Sequence, residues 1–490
     1  MSVSKWRRRF SKFVASVAPA LKADRELLFY AFLKEEKRRD LKQIRGHPQK
    51  RLRAAALRQH RRKRQSILKL VNRQGLKRFN IKDPELLLFR KKDNYLRDAL
   101  CPRYHQRWIA IPKRLKDRGR AHITLKDFSF IRNPRETLEQ IRELVRVSAH
   151  SLNVRLDFLD EECDDVSPYL VLAALMPSLP PVFSGGYITA EVAAVIESVG
   201  LHDVLRVYRV HKRAKSKYPV LPFKMAVRNP PRKFRDKNFQ LKPQSKELVA
   251  DRFFDALEGW LGKYDLELTE VGGQSLINSI TEALDNAERH GRPDITNSVG
   301  DWSMCGFSRL IEPGNDSDDP PRLECSFAIV NVGATIHESL STADTPIREI
   351  IKDYAKMHSG KLSPELASTI VALQDGVTRV PAASSAKRGG VGLLELADLV
   401  ADLGDTDQDE LKSRYTILSG SSCLHVTAPY DRGRKPTGTQ LRELWFNDSN
   451  SDNVSPSEEH TFTIRERFAG TVISAWFCID PEFMRKSMKV

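Results

Sequence analysis

Three polar side chains in the C-terminal half recur at helical intervals. Glu282, Asn286 and His290 stand four residues apart in the stretch QSLINSITEALDNAERHG, residues 274–291. On an α-helix they share one face. Leu276, Ile280, Leu284 and Ala287 form a second stripe on the same segment, suited to face a core. A carboxylate one turn from a carboxamide fits a phosphate site. Glu282 can accept a proton from an attacking water or hydroxyl. Asn286 can offer a neutral oxygen to Mg²⁺, which prefers hard oxygen ligands and keeps several of its waters. Many solvated helices carry Glu and Asn four apart, so this pair gains weight only from other segments of the chain. His290, at the helix end, reads more simply as a partner for the negative end of the helix dipole than as a catalytic group.

Downstream segments supply the rest of a phosphate site. LECSFAIVNVGATIHESL, residues 323–340, reads as a buried strand running into a turn at Gly333 and then a helix start. SSAKRGGVGLLELADLV, residues 384–400, places Lys387 and Arg388 before Gly389, Gly390 and Gly392, with an amphipathic helix from Leu393 to Val400. Glycines ahead of a helix let backbone N–H groups approach a phosphate closely, and the helix N-terminus favours negative charge. ERFAGTVISAWFCI, residues 466–479, enters a terminal apolar strand through Gly470 and Thr471.

These four segments, in this order, resemble the GHKL ATPases, the superfamily of gyrases, chaperones, histidine kinases and mismatch-repair proteins. EALDNAERHG is similar to their N-box, and most of all to that of the anti-sigma-factor serine kinases. The resemblance implies ATP and Mg²⁺ as ligands, Asn286 as the Mg²⁺ ligand and Glu282 as the general base. VNVGATI stands in the place of the Asp-x-Gly-x-Gly box, and KRGGVGL matches the Gly-x-Gly-Leu box that touches phosphates. Asn331, Gly333, Thr335, Lys387, Arg388, Gly389, Gly390, Gly392, Leu393 and Thr471 are then nucleotide-binding candidates, and residues 338–386 would contain the ATP lid. Asn331 replaces the adenine-reading Asp, and Thr335 replaces the second glycine. An Asn oxygen can still accept the adenine amino proton and its NH₂ can donate to a ring nitrogen, with the loss of a charge-assisted bond of about 1–2 kcal/mol.

Other elements must position these groups. At about 150 residues per domain, 490 residues imply two or three folded domains. The reading is a multidomain α+β chain: a basic helical region over 1–118, a small α/β domain over 119–210, a basic Pro-containing linker over 211–247, and a GHKL α/β sandwich over 248–490. The sandwich is expected to have a mixed sheet with helices on one face. In the second segment, Ala121–Leu125 and Val154–Leu159 read as strands and 134–149 as a helix. A helix with Pro168 at its first position has Ser167 as its N-cap, and Ala190–Ser198 forms a helix closed by Gly200. VRLDFLDEECDDVSP, the helix after it and VAAVIESVGLHDVLRV resemble a STAS domain, the fold of anti-anti-sigma factors, which implies a protein-interaction module. Within 248–490, helices are expected at 248–262 and 273–290, and strands around 322–332, 414–427 and 461–478.

Charge is unevenly spread. The net formal charge is +18, yet residues 1–120 hold 37 Lys and Arg against 10 Asp and Glu, leaving the remainder at −9. So many cations repel one another unless phosphates or acidic surfaces neutralise them. The basic region is therefore read as a nucleic-acid-binding arm, an arm packing on another subunit of a homodimer, or a contact to an anionic membrane surface. No run of about 18 apolar residues is present, so no membrane span is expected, and the basic N-terminus lacks the apolar stretch of a secretory signal. Six dispersed cysteines, none in a CxxC pair, read as buried small hydrophobes in a reducing, cytoplasmic setting. Three functions remain open: an ATP-hydrolysing switch associated with nucleic acid, a serine/threonine protein kinase, and a non-enzymatic nucleotide- and nucleic-acid-binding scaffold.

Overall fold

The apolar stripe around residue 280 sets the larger part of the fold. In a computed structural model of the chain, Glu270–His290 is one helix whose Leu276, Ile280 and Leu284 are buried in the principal core. The structure describes residues 94–102, 116–117, 120–150, 154–180, 182–183, 185–207, 216–229, 242–291, 302–312, 321–377 and 392–487. Most of the basic region, including all of 1–93, lies outside these, as do Lys387, Arg388, Gly389 and Gly390.

The chain groups into two compact units. Of the described residues, one comprises those up to Lys126 with Ile141–Leu159 and Ser178–Ile188, the other Asp127–Gln140, Asp160–Pro177 and those from Thr189 onward. In chain order the principal helices are α1 (Pro134–His150), α2 (Ser167–Leu175), α3 (Ala190–Ser198), α4 (Lys246–Leu261), α5 (Glu270–His290), α6 (Ile336–Leu340), α7 (Thr345–Met357), α8 (Pro364–Leu373) and α9 (Gly392–Leu403). The strands are β1 (Lys116–Asp117), β2 (Arg120–Leu125), β3 (Val154–Phe158), β4 (Val220–Val227), β5 (Trp302–Ile311), β6 (Arg322–Val332), β7 (Arg414–Val426) and β8 (Thr461–Ile479).

In the smaller unit β2 pairs antiparallel with β1 and parallel with β3. Asp157 of β3 accepts from His122 Nε2 at 2.8 Å, Arg155 Nε at 2.9 Å and the Tyr187 N–H at 2.7 Å.

The larger unit is built on a five-stranded sheet in the order β4-β5-β6-β8-β7, with every pairing antiparallel. The expected mixed sheet is thus an antiparallel one. β4 and β5 join the strands expected at β6, β7 and β8, and β4 lies inside the stretch read as a linker. Pro222 is tolerated there because β4 is an edge strand, while Phe223, Met225 and Ala226 are buried.

Side chains alternate across these strands. Phe327 and Ile329 of β6 and Ile473, Ala475 and Phe477 of β8 enter the core shared with α4, α5, α8 and α9. The opposite face is covered too, which differs from the expected single helical layer. α2 packs against β5, β6 and β8, and its nine residues, mostly apolar and without a charged side chain, are almost all buried, as a helix covered on all sides requires.

One carboxylate fixes that second layer. Asp165, 2% exposed, accepts from the Phe130 and Ser167 N–H groups at 2.7 and 2.8 Å and from the Ser129 and Ser474 hydroxyls at 3.0 and 2.8 Å. Ser167 is therefore not the N-cap that its sequence position indicates. It is the first helical residue, fully buried, and its hydroxyl has no partner among the described residues. Beside this cluster the buried Arg309 joins Asp164 at 2.6 Å and Glu324 at 2.8 Å.

All five described cysteines other than Cys101 are buried, and all six are free thiols. Burial pushes the Cys163, Cys305 and Cys423 thiols well above their ordinary range. Among the described residues no helix is long and apolar enough to cross a membrane.

Candidate functional site

The α5 face bearing Glu282 and Asn286 looks into a cavity of the larger unit. Its wall includes Asn331 at the end of β6, Thr335 and Ile336 at the start of α6, Gly392 and Leu393 at the start of α9, and Thr471 of β8. Seven of the sequence-derived candidates therefore meet in one place. Ile329, Ile473, Leu340 and Val377 supply apolar walls. About 880 Å³ of atom-free space, open solvent at the mouth included, lies between them.

Close backbone approach explains the glycines. An added Cβ on Gly392 would lie 2.8 Å from the Glu282 Cδ and Cγ, so α9 begins hard against the α5 carboxylate. Ser275 Oγ on the same helix donates to Glu395 Oε1 of α9 at 2.9 Å and fixes the pair further along. Gly333 does not line the cavity. It lies under the end of α5, where a Cβ would collide with the Gly291 carbonyl, and the Ala334 N–H donates to that same carbonyl at 2.8 Å.

Thr335 has an extended backbone, φ −80° and ψ 166°, so nothing at this position calls for glycine. Its hydroxyl accepts from the Glu338 N–H at 3.1 Å while Glu338 Oε2 accepts from the Thr335 N–H at 2.9 Å. This reciprocal capping starts α6. Burial works against ionisation of Glu338, but the Thr335 N–H and the Arg467 guanidinium outweigh it and hold its carboxyl below the usual range.

Asn331 and Thr471 are directly opposed on neighbouring strands. The Thr471 hydroxyl meets Ser419 Oγ at 3.0 Å, and Ser419 also donates to the Gly470 carbonyl and accepts from the Ile336 N–H at 2.9 Å. Ser419 thus ties α6 to the cavity floor. Nothing in its local sequence marks it, because its partners lie 83 and 51 residues away. The Asn331 carboxamide is 5% exposed and donates Nδ2 to the Ala287 carbonyl of α5 at 3.1 Å. Its amide group is therefore engaged with the helix, whereas the expectation from sequence directs its NH₂ at a ring nitrogen.

The other candidates separate. His290 is the last residue of α5, and its side chain lies outside the described set. Lys387, Arg388, Gly389 and Gly390 also lie outside it. Of the 338–386 region expected to hold a lid, residues up to 377 include α7 and α8, and α8 is an integral part of the core.

Among the described residues no three His, Cys, Asp or Glu side chains converge to hold a metal ion by themselves. The Asn286 carboxamide lines the cavity and carries a neutral oxygen of the kind hard cations accept. Searches against protein-family models, curated proteins and solved structures return no match to this chain.

Proposed function

We propose that the larger unit is a GHKL-type domain that binds ATP with Mg²⁺ and hydrolyses it, acting as a nucleotide-gated switch. The observation that carries this reading is the shared cavity of Glu282, Asn286, Asn331, Thr335, Gly392 and Thr471. When bound, Mg²⁺ neutralises developing charge on the phosphates, and Asn286 would hold it. Glu282 would orient and deprotonate the attacking water from the adjacent turn of α5. The base would lie over Ile329 and Ile473, next to the Thr471 hydroxyl. Glu282 is kept close to the start of α9 by Gly392, so the proton acceptor and the phosphate-side wall are set by one contact.

In the same reading the basic residues of 1–120 associate the protein with nucleic acid, and the STAS-like segment contacts a partner protein. Binding to DNA or RNA is expected to weaken steeply with salt, and removal of residues 1–80 to flatten that slope.

Calorimetric titration of the full chain with ATP, ADP and GTP, with and without Mg²⁺, tests the nucleotide reading. Asn286→Ala should lose the Mg²⁺-dependent part of the affinity. Glu282→Gln should bind ATP and fail to turn it over. With γ-labelled ATP, free phosphate supports hydrolysis and label on a protein side chain supports a kinase. No binding of any nucleotide by the wild-type chain rejects the proposal.

A further inference from the structure

We propose that Asn331 is a positioning residue. Its carboxamide fastens the last turn of α5 to β6, and the position demands an uncharged donor where a carboxylate would fail. The proposal deepens the nucleotide-site reading, but its physical part can be tested without it.

The Ala287 carbonyl, one residue after Asn286, accepts from both the Gly291 N–H at 3.1 Å and Asn331 Nδ2 at 3.1 Å. It is the point at which the helix carrying Glu282 and Asn286 is tied to the sheet. The backbone beyond it is packed tightly as well. A Cβ on Gly291 would run into the Asn331 carboxamide, and one on Gly333 into the Gly291 carbonyl. The helix end and residue 331 are thus in close backbone and side-chain contact.

An aspartate here would set an acceptor oxygen against the Ala287 carbonyl oxygen, and neither could donate. The charged groups on the surrounding elements do not compensate. On α5 these are Glu282, Asp285, Glu288 and Arg289; Arg289 and Lys246 both pair with Asp285, and Glu288 is already taken by Arg228 at 3.1 Å and Trp302 Nε1 at 3.0 Å. On α6, Glu338 shares Arg467 with Glu365. The cross-strand neighbours of Asn331, Trp302 and Thr471, are neutral. Among the described residues the surround therefore adds no net positive charge. A protonated aspartic acid, by contrast, regains an O–H donor for Ala287.

The test uses full-length wild type, Asn331→Ala and Asn331→Asp. Thermal melting and Mg-ATP titration are run at about pH 5.5 and about pH 8, on either side of the range expected for a buried carboxyl. Asn331→Ala should melt below wild type by the same margin at both pH values. Asn331→Asp should melt about 4–8 °C below wild type at the higher pH and regain at least half of that at the lower. Its ATP affinity should fall roughly tenfold and recover in parallel, since α5 positions Asn286. An Asn331→Asp variant as stable as wild type at the higher pH, or one binding Mg-ATP more tightly there, overturns the proposal. If wild type binds no nucleotide, the melting data alone decide the fastening role and only the nucleotide reading falls.

Discussion

Substitution of Gly392 by alanine probes the contact on which the site depends. An ideal Cβ there lies 2.8 Å from Glu282 Cδ and Cγ and 3.0 Å from Glu282 Cβ. Carbon atoms pack best at about 3.5 Å, so the carboxylate must retreat by about 0.7 Å. Two effects on stability oppose each other. Alanine in place of glycine in a helix gains up to about 1 kcal/mol, while overpacking costs about 1–3 kcal/mol. The net is a loss of roughly 0–3 kcal/mol, a fall in melting temperature of at most about 12 °C for a unit of this size. Catalysis is more sensitive, since a displacement of about 1 Å at a reacting group costs on the order of 100-fold. On the proposed ATPase reading, the folded variant should therefore turn over ATP at least about tenfold more slowly. A double-mutant cycle with Glu282→Ala reads the contact independently of activity. Removing Glu282 beyond its Cβ should recover most of the stability lost in Gly392→Ala. Wild-type turnover by a folded Gly392→Ala protein would refute the placement of Glu282 in the chemistry, and an additive cycle would refute the contact itself.

Two further substitutions test how the cavity is supported. Arg442 bridges Asp375 at 2.9 Å and Asp398 at 2.7 Å. Burial pushes the Asp398 carboxyl up to about 6, against the Gly433 N–H and Arg442. An acid raised in this way binds its proton more tightly in the folded state, so its stabilising share is present at low pH and lost as pH rises through about 6. Arg442→Met removes an offsetting cation, and its destabilisation in urea unfolding should be larger near pH 8 than near pH 5. Equal losses at both would show that Asp398 does not feel Arg442. Asp165→Ala strands buried donors from Ser129, Phe130, Ser167 and Ser474. It should cost about 3 kcal/mol or more in the same assay, and a loss below about 1 kcal/mol would mean the second layer is held by apolar packing alone.

Legibility in the sequence follows periodicity and fails where partners are remote. α5 is readable from Leu276, Ile280 and Leu284 at helical spacing, and β6 and β8 from their long apolar runs. Motif order alone brings Glu282, Asn286, Asn331, Thr471 and Gly392 together, and they do line one cavity. β5 escapes because Arg309 and Gly306 interrupt its apolar pattern. Arg309 reads as a surface residue, yet it is 2% exposed and paired with Asp164, 145 residues away. Gly306 makes room for Phe327 across the strand pair, a requirement set by tertiary packing. β4 is hidden by its basic, Pro-containing surroundings, which an edge strand accommodates. α2 does carry a signal of a kind. Nine consecutive residues without a polar face call for burial on every side, which an isolated small domain could not easily provide.

The second layer has a mechanical consequence for the site. Asn331 and Thr471 stand on the same strand face as Ile329 and Ile473, while the residues between and beyond them, such as Ser326 and Ser474, face α2 and Asp165. A sheet covered on one side only can bend or twist when a ligand presses on its other side. Here β8 is held from behind by the Ser474 hydroxyl on Asp165 and β6 by the Val166 N–H on Ser326 Oγ, so the cavity floor has little freedom to yield. On the helical side the last turn of α5 is tied to β6 by Asn331 on the Ala287 carbonyl, the first turn of α6 to β7 by the Ile336 N–H on Ser419 Oγ, and the middle of α5 to α9 by Ser275 on Glu395. The first two are polar contacts at helix termini, the part of a helix least constrained by its own backbone bonds, so the helix ends around the cavity rest on single side-chain bonds while its floor is braced from both faces.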